Sequence, residues 1–283
     1  MLFLSYVFWL NGHVDPHYLH FASPKQKSLV LGTSRSSLAV CPSIFEANGF
    51  KGVYNYSFTI AISPWGEDYY NSIMKKVDTT SFNSIFILSV DPFSIATELN
   101  GNEEIPHTML ASIDNVDKSP NWQYLTKHDV YPWKYLFTAL HIQKPTFCLH
   151  NDGWYENLRE WNKETEFLET KLKIEEYKRN FSNHKLSQER MSYLSKTIEF
   201  LRKHGDVFLI RIPTSKAMVA LEEELFPMYD SVIQTFAKKQ DIRYMDFSGE
   251  SEHYRTFDGN HLIPEDALVF SQQLCDSLLN KDR

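Results

Sequence analysis

Five short apolar runs constrain the fold of this 283-residue chain more than any other feature. Each run is followed by a glycine, a proline or a polar residue, and the longer segments between the runs have the apolar spacing of helices. Strands that alternate with helices predict an α/β fold, with a mainly parallel five-stranded sheet between two helical layers. The predicted strands are Ser28–Gly32, Gly52–Tyr56, Ser84–Val90, Asp206–Ile212 and Ile242–Phe247.

Two further segments complete this frame. Ala217–Lys239 carries a long amphipathic pattern and is predicted to be helical. Pro264–Leu279 begins with a proline followed by two acidic residues, which is typical of a helix start, and is the predicted closing helix. The 42% hydrophobic content allows a substantial core, in one large domain or two small ones, and we predict a single domain over residues 23–283.

Composition excludes several functional classes. The net charge is −7 and no long basic run is present, so nucleic acid is not an expected partner. Cys41, Cys148 and Cys275 lie far apart and form no metal-binding motif, so we predict neither a zinc site nor a disulfide framework. No phosphate-binding glycine loop occurs, and no cofactor is expected.

The first 22 residues form a separate segment in this interpretation. Met1–Leu10 is strongly apolar but shorter than the roughly 20 residues that a membrane-spanning helix needs. It is either the remnant of a membrane anchor or an apolar segment packed on the domain. The first alternative places the protein at the cell envelope and the second leaves a cytoplasmic location open.

A charged segment, Trp154–His204, extends the chain beyond a minimal domain of this kind. A break near Asn180–Lys185 predicts two helices that form a hairpin. The hairpin is either a solvated helical cap, which we favour, or a lid or partner-docking arm beside the functional site.

The first chemical signal directly follows the first predicted strand. In Gly32-Thr33-Ser34-Arg35-Ser36, a strand-to-helix turn places Ser34 at the carboxyl edge of the sheet, where ligands of open α/β sheets bind. Such a serine is a nucleophile when a base reaches its hydroxyl. Small polar residues are also common turn formers and helix caps, so this motif alone favours the structural role.

The second signal is Asp258-Gly259-Asn260-His261, just before the closing helix. The D-x-x-H spacing lets the Asp258 carboxylate orient the His261 imidazole, as in a serine-hydrolase triad. On its own the motif is moderately specific, because aspartate and histidine are ordinary loop residues.

Together, the two motifs resemble the first and last conserved blocks of the SGNH (GDSL-like) hydrolase superfamily. The resemblance covers nearly the whole chain and implies a flavodoxin-like three-layer fold. It also implies Ser34 as nucleophile, His261 as general base and acid, and Asp258 as its orienting partner. The G-T-S-R first block is similar to that of a bacterial branch that includes polysaccharide O-acetylation proteins.

The middle blocks of the family match less well. Ser57, in Val53–Ser57, stands where the family has its oxyanion glycine. Because the donor in the family is the backbone N–H, serine can provide it as well. Asp91, in Ser89–Pro92, replaces the oxyanion asparagine, and an ionised carboxylate repels an oxyanion. Asp91 is therefore expected to turn away toward Arg35 or Arg211, to remain protonated, or simply to start a turn.

Three further residues are assigned to substrate binding. Arg35, beside the nucleophile, and Arg211, at the end of the fourth strand, either hold an anionic substrate group or pair internally with Asp91, Glu222 or Asp258. Asn55, in the second block, is the third. Trp65, Tyr69 and Tyr70 are expected to pack in the core rather than stack on a sugar.

These observations favour a metal-independent serine esterase or O-acyltransferase that acts on O-acetylated carbohydrate, or on another small ester, through an acyl-enzyme. Hydrolysis and transfer use the same triad, so both stay open. The alternative is a catalytically inactive protein of this fold that binds glycan or a membrane-bound O-acyltransferase partner.

Overall fold

The computed structural model describes residue 15 and residues 17–99, 106–127 and 146–280. A five-stranded, all-parallel sheet forms its centre, so the five predicted strands are confirmed. The central strands are β1 (Ser28–Leu31), β2 (Val53–Asn55), β3 (Ser84–Ser89), β8 (Gly205–Arg211) and β9 (Arg243–Asp246). They lie in the order β2-β1-β3-β8-β9. Four are shorter than their apolar runs, whereas β8 keeps the predicted length and begins one residue earlier.

Ten α-helices lie in the described part of the chain. They are α1 (Tyr18–Ala22), α2 (Ser34–Ala39), α3 (Pro42–Ala47), α4 (Glu67–Lys76), α5 (Trp122–Lys127), α6 (Lys163–Phe181), α7 (Gln188–Leu201), α8 (Lys216–Leu225), α9 (Tyr229–Gln240) and α10 (Pro264–Leu279). Two small antiparallel pairs join β4 (Ala96–Glu98) to β7 (His184–Leu186) and β5 (Phe147–Leu149) to β6 (Tyr155–Asn157).

Helices cover the two faces of the sheet through separate apolar clusters. Because side chains alternate along a strand, Leu29 and Leu31 face one cluster while Val30 faces the other. Residues of α1, α4, α7, α8 and α9 pack in the first cluster, and residues of α2, α3 and α10 pack in the second. The result is a three-layer α/β/α arrangement.

The predicted helix Ala217–Lys239 is two helices in the structure. α8 ends at Leu225 and α9 begins at Tyr229, with Pro227 between them. Proline lacks the backbone N–H that a helix interior requires, and its ring obstructs the preceding turn. The predicted helical segment is therefore confirmed, but as two helices separated at the proline.

The insertion also differs from the predicted hairpin. The break near Asn180–Lys185 is present, since α6 ends at Phe181 and β7 follows. The two helices, however, pack chiefly on different neighbours: α6 lies against α8, whereas α7 lies against α4 and β8. Leu194, Ile198 and Leu201 of α7 are fully buried, so this helix belongs to the main helical layer.

The N-terminal segment divides at the limit of the described residues. Met1–Leu10, the proposed anchor remnant, lies outside them. α1 places the fully buried Phe21 in the main core, so the domain begins before residue 23. Of the helices in the described ranges, none is both long and apolar enough to span a bilayer.

Candidate active site

A glycine positions Ser34 at the carboxyl end of β1. Gly32 has a φ of +149°, a conformation that side-chain-bearing residues rarely adopt. A Cβ there would lie 2.5 Å from Ser36 Oγ and 2.8 Å from Ser89 Cβ. The chain therefore turns sharply from β1, and Ser34 becomes the first residue of α2.

Ser34, His261 and Asp258 form a continuous chain of hydrogen bonds. Ser34 Oγ lies 2.9 Å from His261 Nε2, and His261 Nδ1 lies 3.0 and 3.1 Å from the two Asp258 oxygens. Because Nδ1 faces a carboxylate, the proton belongs on Nδ1, and Nε2 accepts from the serine hydroxyl. This arrangement suits the removal of the Ser34 proton by His261.

The Asp258 carboxylate also organises its own loop. Asp258 Oδ1 accepts the backbone N–H groups of Asn260 and His261 at 3.1 and 3.0 Å. Burial alone would raise the pKa of Asp258, but the charge and N–H of His261 and the Asn260 N–H hold this pKa well below its usual range. Asp258 is thus an anion at neutral pH, as an orienting group for the imidazole must be.

Asn260, within the D-x-x-H motif, connects the histidine to Arg35. Its Oδ1 accepts from Arg35 Nε at 2.8 Å, which orients the amide so that Nδ2 lies 3.1 Å from His261 Nε2. Nδ2 also donates to the Tyr177 hydroxyl at 3.3 Å. Asn260 has no predicted role from the sequence; the signal for one is an amide side chain directly before the histidine of the motif.

Arg35 and Arg211 are both engaged by one buried carboxylate. Glu222 Oε1 lies 2.5 Å from Arg35 Nη1, and Glu222 Oε2 lies 2.6 Å from Arg211 Nη2. All three side chains are almost fully buried, and Arg211 also pairs with Asp230 at 2.7 Å. Of the two alternatives for these arginines, the structure shows the internal ion pair rather than groups open to a substrate anion.

Asn55 is buried beneath α2. Its Nδ2 donates to the carbonyls of Ser36 and Val40, both at 2.8 Å, and its side chain has no exposure. Its Oδ1 accepts the Ser57 backbone N–H at 3.2 Å. Asn55, predicted to bind substrate, therefore lies beneath α2 and holds this helix in place. Its side chain also occupies the Ser57 N–H, the predicted oxyanion donor.

Asp91 follows β3 and shapes the next turn. Its Oδ1 accepts the Ser94 N–H at 3.0 Å, and its Oδ2 lies 3.5 Å from Thr33 Oγ1. Burial raises the pKa of Asp91, and the positive charge of the nearby Arg35 partly offsets this increase. No ion pair from Asp91 to Arg35 or Arg211 forms in the described part of the chain. Asp91 therefore starts the turn to Ser94, and its raised pKa is in the direction of the protonated alternative.

Ser34 N–H is the remaining predicted oxyanion donor. It lies in the first turn of α2, where backbone N–H groups have no intrahelical acceptor. No other acceptor contacts it among the residues described here. This N–H is therefore free to donate a hydrogen bond to an oxyanion that forms next to Ser34.

The aromatic residues near the second strand are structural, as expected for Trp65 and Tyr69. Both are about 1% exposed, and the Tyr69 hydroxyl bridges the Gly32 N–H and the Tyr56 carbonyl. Tyr70 packs against Tyr193. Within the described ranges, no group of three or more histidine, cysteine or acidic side chains is arranged to hold a metal ion.

Comparisons with protein-family models and with curated protein sequences find no match to this chain.

Proposed function

We propose that this chain is a serine esterase or O-acyltransferase of the SGNH type. The observation that carries the proposal is the 2.9 Å approach of Ser34 Oγ to His261 Nε2, with Asp258 hydrogen-bonded behind the imidazole. The sheet order is β2-β1-β3-β8-β9. If only the five central strands are numbered along the chain, this order is 2-1-3-4-5, which is that of flavodoxin-like folds and supports the same assignment.

The first half-reaction follows from these contacts. Ser34 Oγ attacks the ester carbonyl carbon while its proton passes to His261 Nε2, and Asp258 stabilises the imidazolium that forms. The Ser34 N–H stabilises the oxyanion. Collapse of the tetrahedral intermediate breaks the bond to the leaving alcohol, which takes the proton from Nε2 and leaves an acyl group on Ser34.

The second half-reaction decides between hydrolysis and transfer. His261 Nε2 removes a proton from water or from an acceptor hydroxyl, whose oxygen attacks the acyl carbon. The bond between the acyl carbon and Ser34 Oγ then breaks, and Oγ takes the proton back from Nε2. The proposed substrate is an O-acetylated carbohydrate or another small ester, and this class comes from the family resemblance alone. A membrane-bound O-acyltransferase is a proposed partner on the same basis.

One observation favours a second candidate, a non-catalytic binding protein of the same fold. Asp91 supplies no amide donor, and the Ser57 N–H is already bonded to Asn55. A single backbone donor gives less oxyanion stabilisation than the family arrangement would. Against this candidate, a protein that only binds has no use for a hydroxyl at hydrogen-bond distance from a carboxylate-oriented histidine.

Labelling with a fluorophosphonate probe tests the proposal. We expect the wild type to be labelled at Ser34, because the probe reacts with serines that a base activates. The Ser34→Ala and His261→Ala variants should not be labelled, while Ser231→Ala and His253→Ala, at exposed positions, should be labelled at the wild-type rate. Mass spectrometry of the modified peptide identifies the site, and an unlabelled wild type that is folded would favour the binding protein.

A further inference from the structure

One face of α6 lies directly against the loop that carries the histidine. The residues concerned are Glu166, Thr170, Lys173 and Tyr177, whose spacing of four, three and four places them on a single helical stripe. We call them the α6 contact face. Each one contacts, or closely approaches, a different residue of the loop from Thr256 to Asn260.

Glu166 fixes the start of this loop. Its Oε1 accepts the Thr256 N–H at 3.2 Å and the Thr256 hydroxyl at 2.9 Å. The Thr256 hydroxyl oxygen in turn accepts the Gly259 N–H at 3.1 Å. A carboxylate on α6 thus determines the position of the turn that presents Asp258 and His261.

Thr170 sets how closely α6 approaches the loop. Gly259 has a φ of +76°, and a Cβ on it would lie 2.6 Å from Thr170 Cγ2 and 2.8 Å from Ser215 Oγ. The glycine in the motif therefore serves both the turn and the contact with α6. A larger residue at 259 would require Thr170 and Ser215 to shift, in addition to the strain of the positive φ.

Lys173 and Tyr177 reach the triad region itself. Lys173 Nζ lies 3.9 Å from Asp258 Oδ2 and 2.9 Å from Glu176 Oε2. The Tyr177 hydroxyl accepts one Asn260 Nδ2–H, while its buried ring lies edge-on to Phe93 with centroids 4.7 Å apart. Burial raises the pKa of Tyr177, so its hydroxyl stays protonated and neutral.

We propose that α6 is a positioning element of the active site, with Tyr177 acting on His261 through Asn260 and Lys173 acting on Asp258. This inference rests on the proposed function in that it concerns the same Ser34–His261–Asp258 site. The Asn260 amide is held from three sides, by Arg35, Tyr177 and His261. Loss of the Tyr177 hydroxyl leaves the amide held by Arg35 and His261 alone, so its position beside the imidazole is less constrained.

The first test measures the loop and needs no activity. Hydrogen exchange of the amides from Thr256 to Leu262 is compared between wild type and the Glu166→Ala/Tyr177→Phe double variant. We expect exchange about tenfold faster in this loop, because hydrogen bonds of ordinary strength have been removed. The control, Lys171→Met/Glu175→Ala on the exposed face of α6, should match the wild type. Unchanged loop exchange in the double variant would overturn the inference.

The second test measures the reaction of Ser34 with the fluorophosphonate probe. Tyr177→Phe, which keeps the ring, should lower the maximal rate constant about three- to tenfold. The half-saturating probe concentration and the unfolding temperature should stay unchanged, which separates positioning from binding and folding. Lys173→Met should slow labelling and Lys173→Arg should restore it.

The two tests separate the inference from the proposed function. If the wild type is not labelled, the proposed function fails, while the exchange measurement still decides whether α6 holds the loop. The inference fails and the proposed function stands if the wild type is labelled but either test gives the control result. That result is wild-type loop exchange in Glu166→Ala/Tyr177→Phe, or wild-type labelling rates in Tyr177→Phe and Lys173→Met.

Discussion

Glu222 balances the charge of two buried arginines behind Ser34. It contacts Arg35 and Arg211 with separate oxygens in an almost fully buried setting. Burial alone would lower the pKa of Arg35, but Glu222 raises it, so the guanidinium stays charged. Arg35 also binds Asn260, which contacts His261, so the network connects the core to this histidine.

Replacement of Glu222 by glutamine should strongly destabilise the protein. The variant leaves two buried guanidinium groups without their shared anion, and breaking a buried pair in this way costs about 3–5 kcal/mol. Urea unfolding measures the loss. Glu223→Gln, on the exposed neighbouring residue, is the matched control and should stay within about 0.5 kcal/mol of wild type. A Glu222→Gln variant as stable as this control would show that the ion pair contributes little.

At the scale of elements, the turn from β1 into α2 determines the position of Ser34. Gly32 provides a conformation and a space that no other residue type provides. Asn55 then holds the far end of α2 through the Val40 carbonyl. Because α2 is short, these two contacts, rather than its own hydrogen bonds, keep it in place.

Gly32→Ala should lower the free energy of unfolding by more than the strain of a positive φ alone explains. Gly49 also has a positive φ, +88°, but a Cβ there would meet no atom within 4 Å. Gly49→Ala therefore introduces backbone strain without a clash, and should lower the free energy of unfolding by about 1 kcal/mol. Gly32→Ala adds clashes with Ser36 and Ser89 and should cost about 3 kcal/mol, with loss of Ser34 labelling. Equal unfolding free energies for the two variants would contradict the steric argument.

At the scale of the whole molecule, Lys76 joins three segments that are distant in sequence. Its buried ammonium lies 2.7–2.8 Å from the carbonyls of His20, Ser23 and Val116 and from the Ser23 hydroxyl. The rings of Tyr54 and Tyr56 lie 5.5 Å away. This contact attaches α1 to the end of α4, and so fixes the N-terminal segment to the domain.

Lys76 should also make stability depend on pH. Burial lowers its pKa to about 7, whereas in the unfolded chain it is about 10.4. Between these values the unfolded chain holds a proton that the folded protein has lost, so stability should rise with pH, by at most about 1.4 kcal/mol per unit. Urea unfolding of Lys76→Met should lack this rise, whereas the neighbouring Lys75→Met should keep it. Parallel pH profiles for all three proteins would contradict the prediction.

The sequence by itself determined the frame of this protein and the two ends of its candidate site. Strand alternation is a local pattern, because burial on both faces requires continuous apolar runs, and all five central strands were predicted. Gly32 and the D-x-x-H motif are also local, since a turn is specified by the residues that form it. This is why Ser34, Asp258 and His261 could be predicted to meet at one edge, and the structure places them in hydrogen-bond contact.

Only the tertiary structure decided which partners the polar side chains take. Nothing near Arg35 or Arg211 in sequence shows that both bind Glu222, and nothing near Asn55 shows that it holds α2. α6 likewise has the composition of a solvated helix, yet one face of it lies on the histidine loop. A buried polar group must find a partner wherever the fold supplies one, and that partner depends on packing between distant segments rather than on local sequence.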